Sequence, residues 1–427
     1  MNEAIYIVDG ARSPFLKARG RPGPFAAADL ATSVGTQLLA RQPFSPDALD
    51  HVILGCVSPA ANEANIARIA ALRMGCGHKV PAWTPARNCA SGLQALDSAC
   101  AEIRLGRADL VLAGGTEALS RTPLLFSDSF VDWFVDWRGA KSLRARLALL
   151  ARLRKVDLAP VPALMHGLTD PIVGLNMGQT AENLAKRFAI SREEMDAYAL
   201  RSHARAAAAQ AAGHFDEIVP LVDGNGTLYA ADDGLRPDST EADLARLKPV
   251  FDRKYGHVTA GNSSQISDGA AWLVLASERA VEEHGLSPLA RIVDCAWEAL
   301  DPAMMGLGPV HATVPLLIRN GLEMSDIDLW ELNEAFAAQV IACLRAWEDE
   351  EYCRTEIGAE CPGSAPPSDK LNIDGGAIAQ GHPVGASGAR LVLHLVHAMR
   401  REGAARGVAT LCIGGGQGGA MLIEACL

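Results

Sequence analysis

The sequence predicts an α/β fold, and three observations carry the expectation. Strand-like and helix-like segments alternate at both ends of the chain, with short connections between them. A small-residue opening, one helix, one strand and a glycine turn occur in that order near both ends. This suggests an internal duplication, with chance similarity of two βαβ units as the alternative. Forty glycines beside only 5% aromatic residues suggest tight turns and close backbone approaches, as expected of an enzyme whose main chain lies against its ligand.

The elements run in chain order. Ala4-Ile5-Tyr6-Ile7-Val8 reads as a first strand, and with Glu3 before it the start matches neither a secretory nor a transit peptide, so the chain is read as mature from residue 1. Residues 93–105 carry Leu93, Leu96, Cys100 and Ile103 at helical spacing, Gly106 closes that helix, and residues 109–113 form a buried strand before Gly114-Gly115. Residues 119–255 differ in character: an aromatic piece (Trp133, Phe134, Trp137), a basic run, an Ala-rich helix near 192–212 and polar turns at 223–238. They read as an excursion that rejoins the first half near Thr259. A second excursion, 348–370, holds Pro362, Pro366, Pro367 and many acids, and reads as a surface loop. Ala386-Ser387-Gly388 then opens a helix reaching about Arg401, followed by a strand at 407–413 and a second glycine turn. Its counterpart is Ala90-Ser91-Gly92 with the helix, strand and glycine pair of the first half.

Composition excludes several classes. A chain of 427 residues with 49% hydrophobic and 21% charged residues is neither disordered nor a disulfide-stapled miniprotein. A net charge of −11 argues against a general nucleic-acid binder, which needs clustered Lys and Arg. Ten cysteines without a CxxC pair fit neither a zinc ribbon nor a disulfide framework and point to a reducing compartment, hence the cytoplasm. The long uncharged stretch at 407–423 is broken by five glycines, unlike a membrane span.

Four motifs carry chemistry. Cys89, in Arg87-Asn88-Cys89-Ala90-Ser91-Gly92, immediately precedes a helix, whose dipole is expected to favour the thiolate. Asn333-Glu334-Ala335-Phe336-Ala337 follows a strand-like run. His382 lies between glycines in the stretch 375–388, where backbone and imidazole both reach a ligand. Cys412-Ile413-Gly414-Gly415-Gly416-Gln417-Gly418-Gly419 ends a buried strand in a glycine nest whose amides suit an oxyanion. No histidine pattern assigns a metal.

With these four motifs together, the sequence resembles the thiolase family over essentially its whole length. The resemblance implies the thiolase fold: duplicated βαβαβαββ halves in a five-layered α/β/α/β/α core with an inserted loop domain. The first half is expected at 1–118 and 256–284, the loop domain at 119–255 and the second half at 285–427. It also implies thiolytic cleavage of a 3-ketoacyl-CoA to acetyl-CoA and a shortened acyl-CoA. The roles carried over make Cys89 the acylated nucleophile, His382 the acceptor of its proton, and Cys412 the acid that protonates the departing enolate. Asn333, through a water, joins His382 in holding the enolate oxygen, and the amides of Cys89 and Gly414 form a second oxyanion hole. Coenzyme A is a substrate, and neither another cofactor nor a metal is implied. Ser264 and Ala260 fall in the segment that contacts CoA pantetheine, and Met177 and Phe336 line the thioester tunnel; ordinary turn and core roles are the alternative for these.

Two departures matter. Asn176 stands where short-chain biosynthetic thiolases often have His, and Ala86 stands where many thiolases have Asn. Resemblance to the β subunit of fatty-acid oxidation complexes favours the degradative enzyme over a short-chain acetyl-CoA C-acetyltransferase. Ketoacyl synthases share the fold but lack the second cysteine in a glycine nest, and a degenerate lipid-binding module need not retain all four motifs. The family resemblance implies a homodimer or homotetramer, or a hetero-oligomer with a hydratase/dehydrogenase α subunit. The basic run Arg138, Lys141, Arg144, Arg146, Arg152, Arg154 and Lys155 has two readings: a helix lying on an anionic membrane, or a loop-domain helix packed on the core that lends a cation to CoA phosphates.

Overall fold

In the computed structural model, which describes residues 3–426, the first half runs β1 (Ile5–Arg12), α1 (Ala27–Ala40), β2 (His51–Gly55), α2 (Ile66–Arg73), β3 (Ala82–Trp83), α3 (Ser91–Arg104) and β4 (Leu110–Ala118). An inserted segment comes next, with α4 (Asp128–Gly139), α5 (Leu143–Arg152), α6 (Met177–Arg187) and α7 (Arg192–Ala212), before β5 (Ser267–Ser277) returns the chain to the first sheet. The second half comprises β6 (Ala290–Ala299), α8 (Gly308–Arg319), β7 (Leu329–Leu332), α9 (Ala337–Trp347), α10 (Val384–Glu402), β8 (Arg406–Ile413) and β9 (Gln417–Ala425).

The duplication is geometric. The first half orders its strands β1-β5-β4-β2-β3, and the second orders them β6-β9-β8-β7, with a parallel bridge from Trp330 to Leu371 where a fifth strand belongs. In each half the last two strands pair antiparallel and the crossover pair, β2 with β4 or β7 with β8, is parallel. An antiparallel contact, Ile5 opposite Ile292, joins the two sheets.

Three apolar clusters fill the layers. α1 and α2 cover the outer face of the first sheet through Leu30, Val34 and Ile66, while α8 and α9 cover that of the second through Val314, Leu317 and Val340. Between the sheets, α3 and α10 share a core of Leu93, Leu96, Ile103, Val392 and Val396. That contact requires small residues: a Cβ on Gly92 would lie 2.8 Å from the Gly385 carbonyl oxygen, and one on Gly388 would lie 2.5 Å from the Leu93 nitrogen. The two helix starts therefore meet at the centre of the molecule, which is where Cys89 and His382 lie in sequence.

Three expectations need correction. Gly114 and Gly115 are not a turn but lie inside β4, where a Cβ on Gly115 would lie 1.9 Å from the Gly385 oxygen; their small size serves close approach instead. The excursion at 348–370 is not all surface loop, because it begins in helical turns that bury Tyr352 and Cys353, with the Tyr352 hydroxyl 2.8 Å from His311 Nε2. The basic run is not one helix: it breaks at 140–142 between α4 and α5, and Trp133 Nε1 donates to the Leu149 carbonyl across the break at 2.9 Å.

A buried ionic cluster ties the inserted segment to both halves. Arg12 reaches Glu217 at 3.1 Å and Asp232 at 2.7 Å, and His394 on α10 lies 3.0 Å from Glu217 and 3.1 Å from Asp374. Such charges are tolerated in a core because each has an opposite partner.

Candidate active site

Cys89 is presented by a backbone bend rather than by the helix itself. Asn88 takes a left-handed φ of 43°, and its Nδ2 donates to the Gly414 carbonyl at 2.8 Å, joining the Cys89 loop to the glycine nest after β8. Ser91 braces the bend by donating to the Asn88 carbonyl and accepting from the Arg87 amide, both at 2.8 Å. Burial pushes the thiol up to about 11, outweighing the amides of Gly414 and of Cys89 itself, which point at the sulfur and pull the other way. The pull toward thiolate expected from the helix start is thus outweighed by desolvation, which keeps the thiol form and leaves its proton for His382 to accept.

His382 precedes α10 and is buried. Its Nδ1 lies 2.6 Å from the Ser387 hydroxyl, whose own hydrogen goes to the Pro383 carbonyl at 2.9 Å. Nδ1 must then carry the ring proton, which leaves Nε2 as a lone-pair acceptor, and Nε2 has no hydrogen-bond partner among the described residues. Burial, helped by Arg390, pulls the imidazole down to about 3. It is a neutral base in a fixed tautomer.

Cys412 sits at the end of β8, and burial, then Cys89 and then Cys343, hold its thiol well above its ordinary value. Asn333 is the first residue after β7, with its backbone amide on the Thr410 carbonyl at 3.0 Å; both its side-chain Oδ1 and Nδ2 are buried without a partner among the described residues. A buried amide with both ends unused is costly unless a ligand or water completes it.

Two cavities meet at Cys89. The larger, about 420 Å³, brings together Cys89, His382, Cys412, Met177, Phe336, Ala260 and Ser264. The smaller, about 160 Å³, is lined by Cys89, Gly414 and an apolar wall including Leu119, Leu164, Leu168 and Pro171. Asn333 borders neither cavity directly. Sequence reasoning missed Lys17 and Arg236, both on the wall of the larger cavity; they lie more than 200 positions apart in sequence, and only the fold makes them neighbours. Burial, then Arg236 and Arg19, pull the Lys17 amine down. It also missed Ser387 as the brace of His382. The basic run contributes no side chain to either cavity.

Comparison with known proteins agrees with this constellation. The model of the thiolase N-terminal domain matches residues 5–279 and that of the thiolase C-terminal domain matches residues 286–425. The mitochondrial trifunctional enzyme subunit beta of Rattus norvegicus is 39% identical over 424 residues, covering 99% of this chain and 88% of that protein. A 3-ketoacyl-CoA thiolase of Salmonella newport is 39% identical, covering 99% and 97%. Among solved structures, human mitochondrial 3-ketoacyl-CoA thiolase in complex with CoA superposes with a TM-score of 0.85 at 38% identity, covering 99% of this chain and 98% of that one. The acetyl-CoA acetyltransferase of Bacillus anthracis gives 0.84 at 36%, covering all of both chains.

Proposed function

The chain belongs to the thiolase family, and from that premise we propose that it is a 3-ketoacyl-CoA thiolase working in the degradative direction of fatty-acid β-oxidation. The observation that carries this reading is the pair of cavities meeting at the Cys89 sulfur. One is bordered by the cations Lys17 and Arg236 and suits a CoA arm with its phosphates; the other, which has Asp170 and Thr122 on its lining, also offers an apolar wall of Leu119, Leu164, Leu168 and Pro171 that suits an acyl tail, for which acetoacetyl-CoA has no use.

The residues then act in sequence. Because Cys89 rests as a thiol and His382 as a neutral base, the proton moves to His382 Nε2 as the sulfur attacks the 3-keto carbon. The amides of Cys89 and Gly414 hold the resulting oxyanion. The bond between C2 and C3 breaks, leaving an acyl group on Cys89 and the enolate of acetyl-CoA. Asn333, through a water, and His382 hold the enolate oxygen while Cys412 gives the carbon its proton. An incoming CoA thiol returns a proton to Cys412 and attacks the acyl-cysteine; the departing Cys89 recovers its proton from His382. Atoms and charge balance with no group beyond CoA.

Activity across acyl chain lengths tests the reading: kcat/KM should rise from acetoacetyl-CoA to medium-chain 3-ketoacyl-CoA, and a sharp preference for acetoacetyl-CoA would establish the short-chain acetyltransferase instead. On the partner side, α4 and α5 expose Val131, Phe134, Val135, Leu143, Leu147 and Leu150, with Leu143 as much as 75% exposed. These apolar side chains lie beside the basic run, while no helix among the described residues is long and apolar enough to cross a membrane. Our reading is a cytoplasmic oligomer, either of this chain alone or with a hydratase/dehydrogenase α subunit, whose α4–α5 hairpin rests on an anionic membrane surface. Cosedimentation with anionic vesicles should weaken with salt and in Arg144→Glu/Arg152→Glu; no binding at low salt would rule out the membrane contact. Sedimentation of a strict monomer would remove both assemblies.

A further inference from the structure

Behind the catalytic pair lies a buried polar cluster to which the steps above give no part. Glu334 is 1% exposed, yet its carboxylate accepts from donors on three separate stretches of chain. Oε1 receives the Tyr198 hydroxyl at 3.0 Å and Asn372 Nδ2 at 2.9 Å; Oε2 receives the Ser202 hydroxyl at 2.5 Å and the Ile378 amide at 3.3 Å. Tyr198 and Ser202 stand one turn apart on α7, in the inserted segment, so both reach one partner.

Asn372 completes the arrangement. Its Oδ1 accepts the Leu332 amide and its Nδ2 donates to the Leu332 carbonyl, both at 2.9 Å, imitating a strand partner for the residue just before Asn333. It does so from a left-handed φ of 46°, a conformation that costs a non-glycine residue energy and persists where the surroundings enforce it. Leu332 and Glu334 are therefore both clamped, and Asn333, between them, has its backbone amide bonded and its side-chain amide without a partner among the described residues. The glycines before His382 allow α7 to close on this cluster. A Cβ on Gly375 would lie 2.5 Å from the Ser202 carbonyl, and one on Gly376 would lie 2.4 Å from the Glu334 carboxyl carbon.

A buried carboxylate is a poor choice for stability alone, since packed apolar side chains of similar volume often serve as well or better. What four directed donors add is placement. We propose that Tyr198 and Ser202 of the inserted segment, together with Asn372, are positioning residues that hold the Asn333 amide where the enolate forms. The proposal rests on the role assigned to Asn333 above. His382 has its own braces, with Nδ1 on Ser387 and its backbone amide on the Gln265 carbonyl at 3.2 Å, so acylation of Cys89 does not depend on this cluster.

The half-reactions separate the possibilities. The enolate step is read as exchange of the acetyl-CoA methyl protons with deuterium from solvent, and the acylation step as the rate at which acetyl-CoA labels Cys89, by intact mass. Tyr198→Phe/Ser202→Ala should slow exchange about tenfold, since small misplacement of a catalytic group has large kinetic effects, while the acylation rate stays within about twofold. Asn372→Gly, which keeps the left-handed backbone without strain but removes the clamp, should show the same split and supplies the test should the double variant not fold. Asn333→Ala is the reference. If it slows exchange but both cluster variants exchange at the parent rate, or lose acylation and exchange alike, the positioning proposal is wrong. If Asn333→Ala itself exchanges at the parent rate, the role given to Asn333 is wrong instead.

Discussion

The starts of α3 and α10 occupy equivalent places in the two halves, and each carries the serine of an Ala-Ser-Gly run in its first turn or so, as the first residue of α3 and the fourth of α10. In the first half Ser91 ties down the backbone on either side of Asn88, so the bend presents a sulfur. In the second half Ser387 uses the same kind of bond, to the Pro383 carbonyl, and directs its acceptor to an imidazole. The local scaffold is thus similar in both, while the group it presents differs: a thiol from one half and an imidazole from the other, the proposed nucleophile and base. The strand ends diverge in the same way. Gly114-Gly115 continue β4 and admit α10 at close range, whereas Gly414-Gly415-Gly416 turn the chain after Cys412 and free an amide for the site. One duplicated framework has been given complementary chemistry at its two central helix starts.

The largest effect comes from removing the base. His382→Ala should lower kcat by about 10³-fold, within the range general-base contributions span, with KM for the thioester changed much less; steady-state kinetics on one substrate suffices to show this. Forcing the two helix starts apart should affect stability and rate together. Gly388→Ala brings a Cβ against the Leu93 nitrogen, at 2.5 Å, and overpacking of that kind costs about 1–3 kcal/mol, visible as a lowered thermal midpoint beside a reduced kcat. The equivalent serines should then part company. Ser387→Ala loses control of the His382 tautomer and should lower kcat about fivefold, the kinetic equivalent of one hydrogen bond of roughly 1 kcal/mol. Ser91→Ala should cost about 1 kcal/mol of stability with a smaller loss of rate. Equal rate losses in the two variants would erase the functional difference drawn between the halves.

Reading these halves from sequence succeeded where the signal was contiguous. Cys89, His382 and Cys412 each stand among small residues on a few adjacent positions, and the repeated Ala-Ser-Gly within the first turns of α3 and α10 announced the duplication. Lys17, Arg236, Tyr198, Ser202 and Asn372 left no such trace, because each is ordinary in its own segment and gains a role only where distant segments meet. The balance at Cys89 was hidden for a related reason: the helix start that favours thiolate is local, but the desolvation that raises the thiol comes from the whole fold. Glycine pairs misled in β4 because the same residue permits a turn and a close approach.

The smallest effect concerns pH and the ionic cluster that links the inserted segment to α10. Burial pushes Glu217 and Asp374 up, but His394 with Arg12 for the former, and His394 with His214 and Arg401 for the latter, outweigh it and hold both below the usual carboxylate range. Their contribution is present above about pH 4 and is lost as pH falls below it. Burial lowers His394, but Glu217 and Asp374 raise it to about 9. Its contribution is complete below about pH 6.5 and is lost as pH rises through 9. The thermal midpoint should therefore peak between about pH 5 and 6.5, and His394→Gln should flatten the alkaline decline. A midpoint that climbs steadily to pH 9 would contradict these directions.

The division of labour between the two cysteines is the claim on which everything else depends, and intact-mass measurement after brief exposure to a 3-ketoacyl-CoA without free CoA tests it most directly. The parent protein should gain one acyl group, mapped by peptide sequencing to Cys89; Cys89→Ala should gain none; Cys412→Ala, given a simple acyl-CoA, should still be acylated at Cys89 while failing to exchange or cleave. An acyl group on Cys412, or turnover surviving in Cys89→Ala, would contradict that division.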